Sequence, residues 1–249
     1  MPKYKDVMDK REEEIAKLLE IISRISDGFT SPRIVLIGGY ALRAYSQYSR
    51  YTRDCDFVMR RENGWHLDTI KKWLAKEIDV ESFETRETYA FARFSKQLSI
   101  GRKSAKIAID FMEGEVRGRA EGAVVLIDEK FVNEAITAEI LVGAKKINFF
   151  VPSYRDYFIL KIVSARPSDI RDIAALVLKN GGPGGLDKRI KEILPHPNIF
   201  ARNIQDVIIP QVSHERFVDS WRGTFVTKQF DEESKELVLK ELRALAGRE

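Results

Sequence analysis

The chain has 249 residues, of which 44% are hydrophobic, and its 42 Lys and Arg against 38 Asp and Glu leave a net charge of only +4. That is enough apolar material for one large domain or two small ones, and any contact with nucleic acid has to come from a local patch rather than from the global charge. A single cysteine excludes a disulfide framework and a cysteine zinc site, no run approaches 18 apolar residues, and the charged N-terminus lacks a signal-peptide core, so a soluble, cytoplasmic protein with no membrane partner is expected.

In chain order, Ile15, Leu18, Leu19, Ile22 and Ile25 fall at helical spacing, and Asp27-Gly28 and Ser31-Pro32 end that helix. Residues 33–37 form a short apolar run that reads as a buried strand. Gly38-Gly39 ends it, and a helix over 40–47 is predicted directly after the glycines. A second strand covers 54–60, and Leu67, Ile70, Leu74 and Ile78 mark another helix. Strand-like stretches follow at 80–84, 88–95, 104–112, 123–127 and 147–151. From about 153 the pattern is helical, with stretches near 153–165 and 169–179, a break at the Gly/Pro cluster 180–185, and a last strong helix over 231–246. The order predicts an α+β domain over 1–152 and a helical domain over 153–249.

The most informative segment is 34–59. Strand alternation puts Asp54, Asp56 and Val58 on one face and Cys55, Phe57 and Met59 on the other. The second face is apolar. The first sets two carboxylates roughly 7 Å apart, a repulsive arrangement unless it is solvated or a cation sits between them. Residues 106–112 repeat the design: Ile107, Ile109 and Phe111 on one face, Ala108, Asp110 and Met112 on the other. If the two strands are neighbours, three carboxylates converge. Hard oxygen ligands of this kind suit Mg²⁺ or Mn²⁺, and a pair of such ions can hold the attacking and leaving oxygens of phosphoryl or nucleotidyl transfer. Gly38-Gly39, between strand and helix, would let the backbone approach a phosphate closely.

Gly38-Gly39, a spacer of fourteen residues, Asp54-Cys55-Asp56-Phe57 and the later Asp110 together resemble the DNA polymerase β-like nucleotidyltransferase superfamily. The stretches Gly-Gly-Tyr-Ala-Leu-Arg and Tyr-Thr-Arg-Asp-Cys-Asp-Phe look most like its AbiEii-type group, whose members act as toxins of toxin–antitoxin or abortive-infection systems. Lys161, with Arg171-Asp172 after it, is similar to that group's later Lys-then-Arg-Asp motif. The resemblance covers about residues 30–180. It implies a small mixed sheet with helices, followed by a helical bundle. It also implies metal binding and catalysis by Asp54, Asp56 and Asp110, triphosphate binding by Gly38 and Gly39, and a nucleotide-site role for Lys161 and Asp172. The expected partners are an NTP, an acceptor hydroxyl on RNA (tRNA) or protein, and a cognate antitoxin.

Arg50 and Arg53 precede the acid pair, and Arg53 is the better placed to neutralise it or to touch triphosphate. Arg86, Arg93, Lys96, Arg102, Lys103 and Lys106 lead into the Asp110 strand and could meet phosphates, or could form a solvated hairpin. Lys161, in an apolar helix, is expected to snorkel. His66, His196 and His214 have no partners at the spacing of a triad or zinc site. Many charges with only six Asn and five Gln point to a thermophilic source. The leading reading is a metal-dependent nucleotidyltransferase. The alternative is a catalytically silent nucleotide- or RNA-binding module on the same scaffold.

Overall fold

The computed structural model describes residues 4–48, 50–101 and 103–247. The first half runs α1 (Tyr4–Ile25), β1 (Val35–Ile37), α2 (Gly38–Ala41), β2 (Asp54–Met59), α3 (Leu67–Leu74), β3 (Asp79–Thr85), β4 (Ala90–Ile100) and β5 (Lys103–Glu113). It continues with β6 (Glu115–Arg117), β7 (Val124–Leu126), α4 (Glu129–Asn133), β8 (Ile136–Val142) and β9 (Lys145–Val151). Helices follow: α5 (Tyr154–Ser164), α6 (Pro167–Asn180), α7 (Leu186–Ile193), α8 (Asn198–Asn203), α9 (Ile209–Ser213), α10 (Phe217–Phe225) and α11 (Glu232–Ala246). This is an α+β fold with a mixed sheet and many helices. The chain forms two compact units, 1–44 with 51–115 and 127–152, and 45–50 with 116–126 and 153–249.

The first unit is built on a seven-stranded sheet in the order β3-β4-β5-β2-β1-β9-β8. The β2/β5 and β1/β9 pairs are parallel and the others antiparallel. β4 and β5 form a long hairpin that turns at Gly101, whose φ of +61° suits glycine. In β2 and β5, Cys55, Phe57, Ile109 and Phe111 are fully buried on the shared apolar face. Phe57 stacks on Phe111 at 5.2 Å, and Phe29 and Phe94 close the cluster at 6.0 Å from Phe57 and 5.8 Å from Phe111. Each such ring contributes about 1.5–3 kcal/mol by burial.

Both long helices of this unit serve the apolar face. α1 buries Ile15, Leu18, Leu19 and Ile22, and its Glu14 receives Lys96 of β4 at 2.6 Å. α3 buries Leu67, Ile70 and Leu74. It starts where the buried Glu113 of β5 accepts the backbone N–H groups of His66 (3.0 Å) and Leu67 (2.9 Å), satisfying two donors that a helix start leaves orphaned. Phe111 and Glu113 share a face, so this helix packs opposite Asp110.

In the second unit Ser153 caps α5, its Oγ accepting the Asp156 N–H at 3.2 Å, and Ala165 in the left-handed region (φ +43°) ends that helix. Pro167 opens α6 at a position where its missing N–H costs nothing. Asp231 caps α11. Trp221, Tyr157, Phe158 and Phe230 are fully buried. Among the described residues no helix is long and apolar enough to cross a membrane.

Candidate active site

The chain passes from β1 through an extended Ile37 (φ −125°, ψ −160°) into Gly38 at φ +69°. Ile37 pairs with Asp56 across β1/β2, which brings the Asp56 carboxylate against the Gly38 backbone. A methyl group built on Gly38 would overlap Asp56 Oδ2 and lie 2.9 Å from its Cγ and 3.2 Å from its Cβ. Gly38 thus meets two demands that a side chain fails, a positive φ and room for a carboxylate. The helix expected over 40–47 is instead a four-residue α2 that contains both glycines and passes into a 3₁₀ turn at Leu42–Ala44. So short a helix has little dipole to offer. Gly39 is buried, and Gly38 is the more accessible of the pair.

The parallel β2/β5 register sets Asp56 beside Asp110 and Asp54 beside Ala108. All three acids lie on the face opposite Phe57. Asp54 and Asp56 are half-buried, and Asp110 is 5% exposed rather than solvent-facing. Burial pushes the Asp54 carboxyl above the usual carboxylate range and the nearby Asp110 charge adds to it, while Arg93, Arg11 and Arg53 oppose. Arg53 is itself exposed.

Arg93 pairs with Asp110 across β4/β5. Its Nε and Nη2 donate to the two Asp110 oxygens at 2.8 and 2.5 Å, a bidentate fork. This bond outweighs desolvation and raises the guanidinium well above its ordinary value. As the side chains stand, no three His, Cys, Asp or Glu among the described residues are arranged to hold one metal ion. The donor set still fits a hard divalent cation: hard carboxylates on neighbouring strands, one of them destabilised by a like charge. Asp54, Asp56 and, once Arg93 withdraws, Asp110 are the residues that would hold it. Nothing in the strand pattern pointed to Arg93 as the Asp110 partner, because that contact depends on the β4/β5 register.

Lys161 and Asp172 stand in the second unit. Lys161 does not snorkel: it is 3% exposed, and its Nζ donates to Asp169 Oδ1 at 2.7 Å and Asp172 Oδ2 at 2.8 Å. Burial alone would push this amine down, but the two carboxylates outweigh it and hold it well above its ordinary value. Asp169 is the converse case: burial raises it, and Lys161 with Arg166 more than compensates, leaving it well below the usual carboxylate range. Arg50, weighed above as a triphosphate contact, instead clasps Asp172 through Nε and Nη2 at 2.8 and 2.9 Å. Asp169 and Arg166 are the members of this network that the sequence did not single out, and Arg50 was expected at a different partner. The one local signal was an acid in the first turn after Pro167.

Most of the basic run has carboxylate partners within its own unit. Arg86 pairs with Glu84, Arg93 with Asp110, Lys96 with Glu14 and Lys106 with Glu81. Arg102 and the Lys103 side chain lie outside the described residues. Cys55 is buried, as its place on the apolar face requires.

No protein-family model matches the chain, and comparison with curated proteins returns no match. Several solved structures are similar to this chain. One is a protein from H. pylori described as a candidate nucleotidyltransferase, with a TM-score of 0.48, 13% identity, and coverage of 94% of this chain and 95% of that one. A second is JHP933 from Helicobacter pylori, with a TM-score of 0.46, 14% identity and coverage of 94% and 92%. A third is the CdnC:HORMA-deltaN complex of E. coli MS115-1, with a TM-score of 0.30, 11% identity and coverage of 99% and 85%.

Proposed function

We propose that the chain is a metal-dependent nucleotidyltransferase that moves an NMP from an NTP to an acceptor hydroxyl. The observation that carries this reading is the Asp56–Asp110 register on adjacent parallel strands, with Asp54 two residues away and Gly38 shaped around the Asp56 carboxylate. Mg²⁺ or Mn²⁺ at this face would neutralise triphosphate and stabilise charge on the attacking and leaving oxygens. The chain's own part is to supply and orient the carboxylates. β2 fixes Asp54 and Asp56 on one face, and the β2/β1 pairing presses Asp56 against the Gly38 turn, where bare backbone can face a phosphate. The acceptor oxygen bonds to the α-phosphorus, the bond to the β-phosphate bridging oxygen breaks, and pyrophosphate leaves. Asp110, once released by Arg93, would take the acceptor proton or complete the metal site. The AbiEii-type resemblance extends the proposal to a toxin with RNA, tRNA or protein as acceptor and an antitoxin as partner.

One observation favours the second reading, a binding module without catalysis: both oxygens of Asp110 are occupied by Arg93. The two readings separate in one experiment. The full-length protein is incubated with each α-labelled NTP, Mg²⁺ or Mn²⁺, and tRNA or a protein extract, and pyrophosphate release and label transfer are measured. Transfer that is lost in EDTA and in Asp56→Asn supports the enzyme. NTP binding that survives both, with no pyrophosphate from any NTP, supports the silent module.

A further inference from the structure

The acids of α6 already have all the cations they need. Asp172 is engaged by Lys161 and Arg50, and Asp169 by Lys161 and Arg166, so both carboxylates are satisfied. Arg171, between them on α6, has no carboxylate within ion-pair distance among the described residues. Its Nη1 donates to Ser220 Oγ at 3.1 Å, and its Nε is buried with no hydrogen-bond partner. A buried N–H left without an acceptor costs free energy. Burial and the charge of Arg50 push it below its ordinary value.

Arg171 lines an open cavity of about 400 Å³ together with Gln211, His214, Arg216, Phe217 and Ser220, and no acidic residue is in the lining. His214 Nδ1 accepts the Arg216 backbone N–H at 3.1 Å. The imidazole proton therefore sits on Nε2, the nitrogen left to donate to a ligand. Arg216, with its side chain 83% exposed and its Nε 3.8 Å from Glu215 Oε1, adds a second positive charge. The Arg171 guanidinium, an imidazole N–H, an amide and a hydroxyl line one space and form a donor set for a tetrahedral oxyanion.

We propose that this cavity is a phosphate-binding site, with Arg171 as its anchor and His214 and Arg216 as further donors. The proposal is independent of the carboxylate face. The phosphate can belong to a small phosphorylated molecule or to a nucleic-acid backbone, and the test separates them. Inorganic phosphate is titrated into the full chain at constant ionic strength while the arginine Nε–Hε NMR signals are followed. A saturable shift of the Arg171 signal is expected. Affinity should fall at least about tenfold in Arg171→Gln, the loss of one charge-assisted hydrogen bond, and severalfold in His214→Gln. It should stay within about twofold in Lys188→Gln, which removes the same charge from an exposed position of the same unit. Thermal melts check that Arg171→Gln folds, and His214→Gln, at an exposed residue, carries the test if it does not. A single-stranded RNA hexamer forms the second arm. Tighter binding than inorganic phosphate, with a log–log salt slope flattened by about one unit in Arg171→Gln, assigns the site to a backbone phosphate. Hexamer binding no tighter than phosphate assigns it to small phosphorylated molecules. No saturable shift, or an equal loss in Lys188→Gln, overturns the proposal.

Discussion

Replacing Gly38 by alanine tests the packing of the turn against the acid strand. The substitution imposes two separate costs. An alanine at φ +69° pays about 1–2 kcal/mol for the left-handed backbone. Its methyl also overlaps Asp56 Oδ2 and lies 2.9 Å from Cγ, so the carboxylate must rotate away or the β1 turn must shift, an overpacking cost of about 1–3 kcal/mol. Together these predict a loss of about 2–5 kcal/mol, a large part of the ~5–15 kcal/mol that holds a typical domain. In an Asp56→Ala background both Oδ2 and Cγ are gone and the nearest remaining atom is Cβ at 3.2 Å, so only the backbone cost of about 1–2 kcal/mol should survive. Urea unfolding of the wild type, both single variants and the double variant, all in EDTA, gives the coupling directly. A coupling of about 1–3 kcal/mol is expected. If Gly38→Ala costs the same in both backgrounds, the Asp56 carboxylate is not what keeps this position a glycine.

Arg93→Ala should release Asp110 and, since a divalent cation no longer has to displace a bidentate partner, tighten Mn²⁺ binding by about tenfold in calorimetry; unchanged or weaker Mn²⁺ binding would show that Arg93 does not compete for that carboxylate. Lys161→Met removes the cation shared by Asp169 and Asp172, and should cost about 3–5 kcal/mol in urea unfolding; intact stability with lost NTP binding would instead assign Lys161 to the nucleotide. Asp54 has a folded-state value raised above its unfolded one, so its favourable contribution holds at low pH and turns into a penalty as pH rises through the folded value. Asp54→Asn in EDTA should therefore be more stable than wild type at pH 7, by less than about 1 kcal/mol because the group is partly solvated, and equal to it at pH 3; a gain of the same size at both values would remove the charge explanation.

Features that depend on near neighbours are legible along the chain. Strand alternation is local, so the apolar face of Cys55, Phe57, Ile109 and Phe111 and the acidic face of Asp54, Asp56 and Asp110 could both be read from two short segments. The α+β order, the amphipathic α1 and the break at the Gly/Pro cluster 180–185 are likewise written in periodicity and in glycine and proline positions. β8 escaped because Ile136–Val142 mixes exposed apolar and charged residues and has a strand's character only once paired with β9. Which strands are neighbours depends on the folded sheet. Parallel pairing of β2 with β5 joins residues about fifty positions apart and puts Asp56 beside Asp110. The β4/β5 register delivers Arg93 to that carboxylate, and helix packing turns Lys161 from a snorkelling cation into the centre of a buried ion network. Each of these contacts involves charged groups whose partners lie far along the chain. Long-range pairing is set by the burial of whole faces, and a charge goes where those faces carry it.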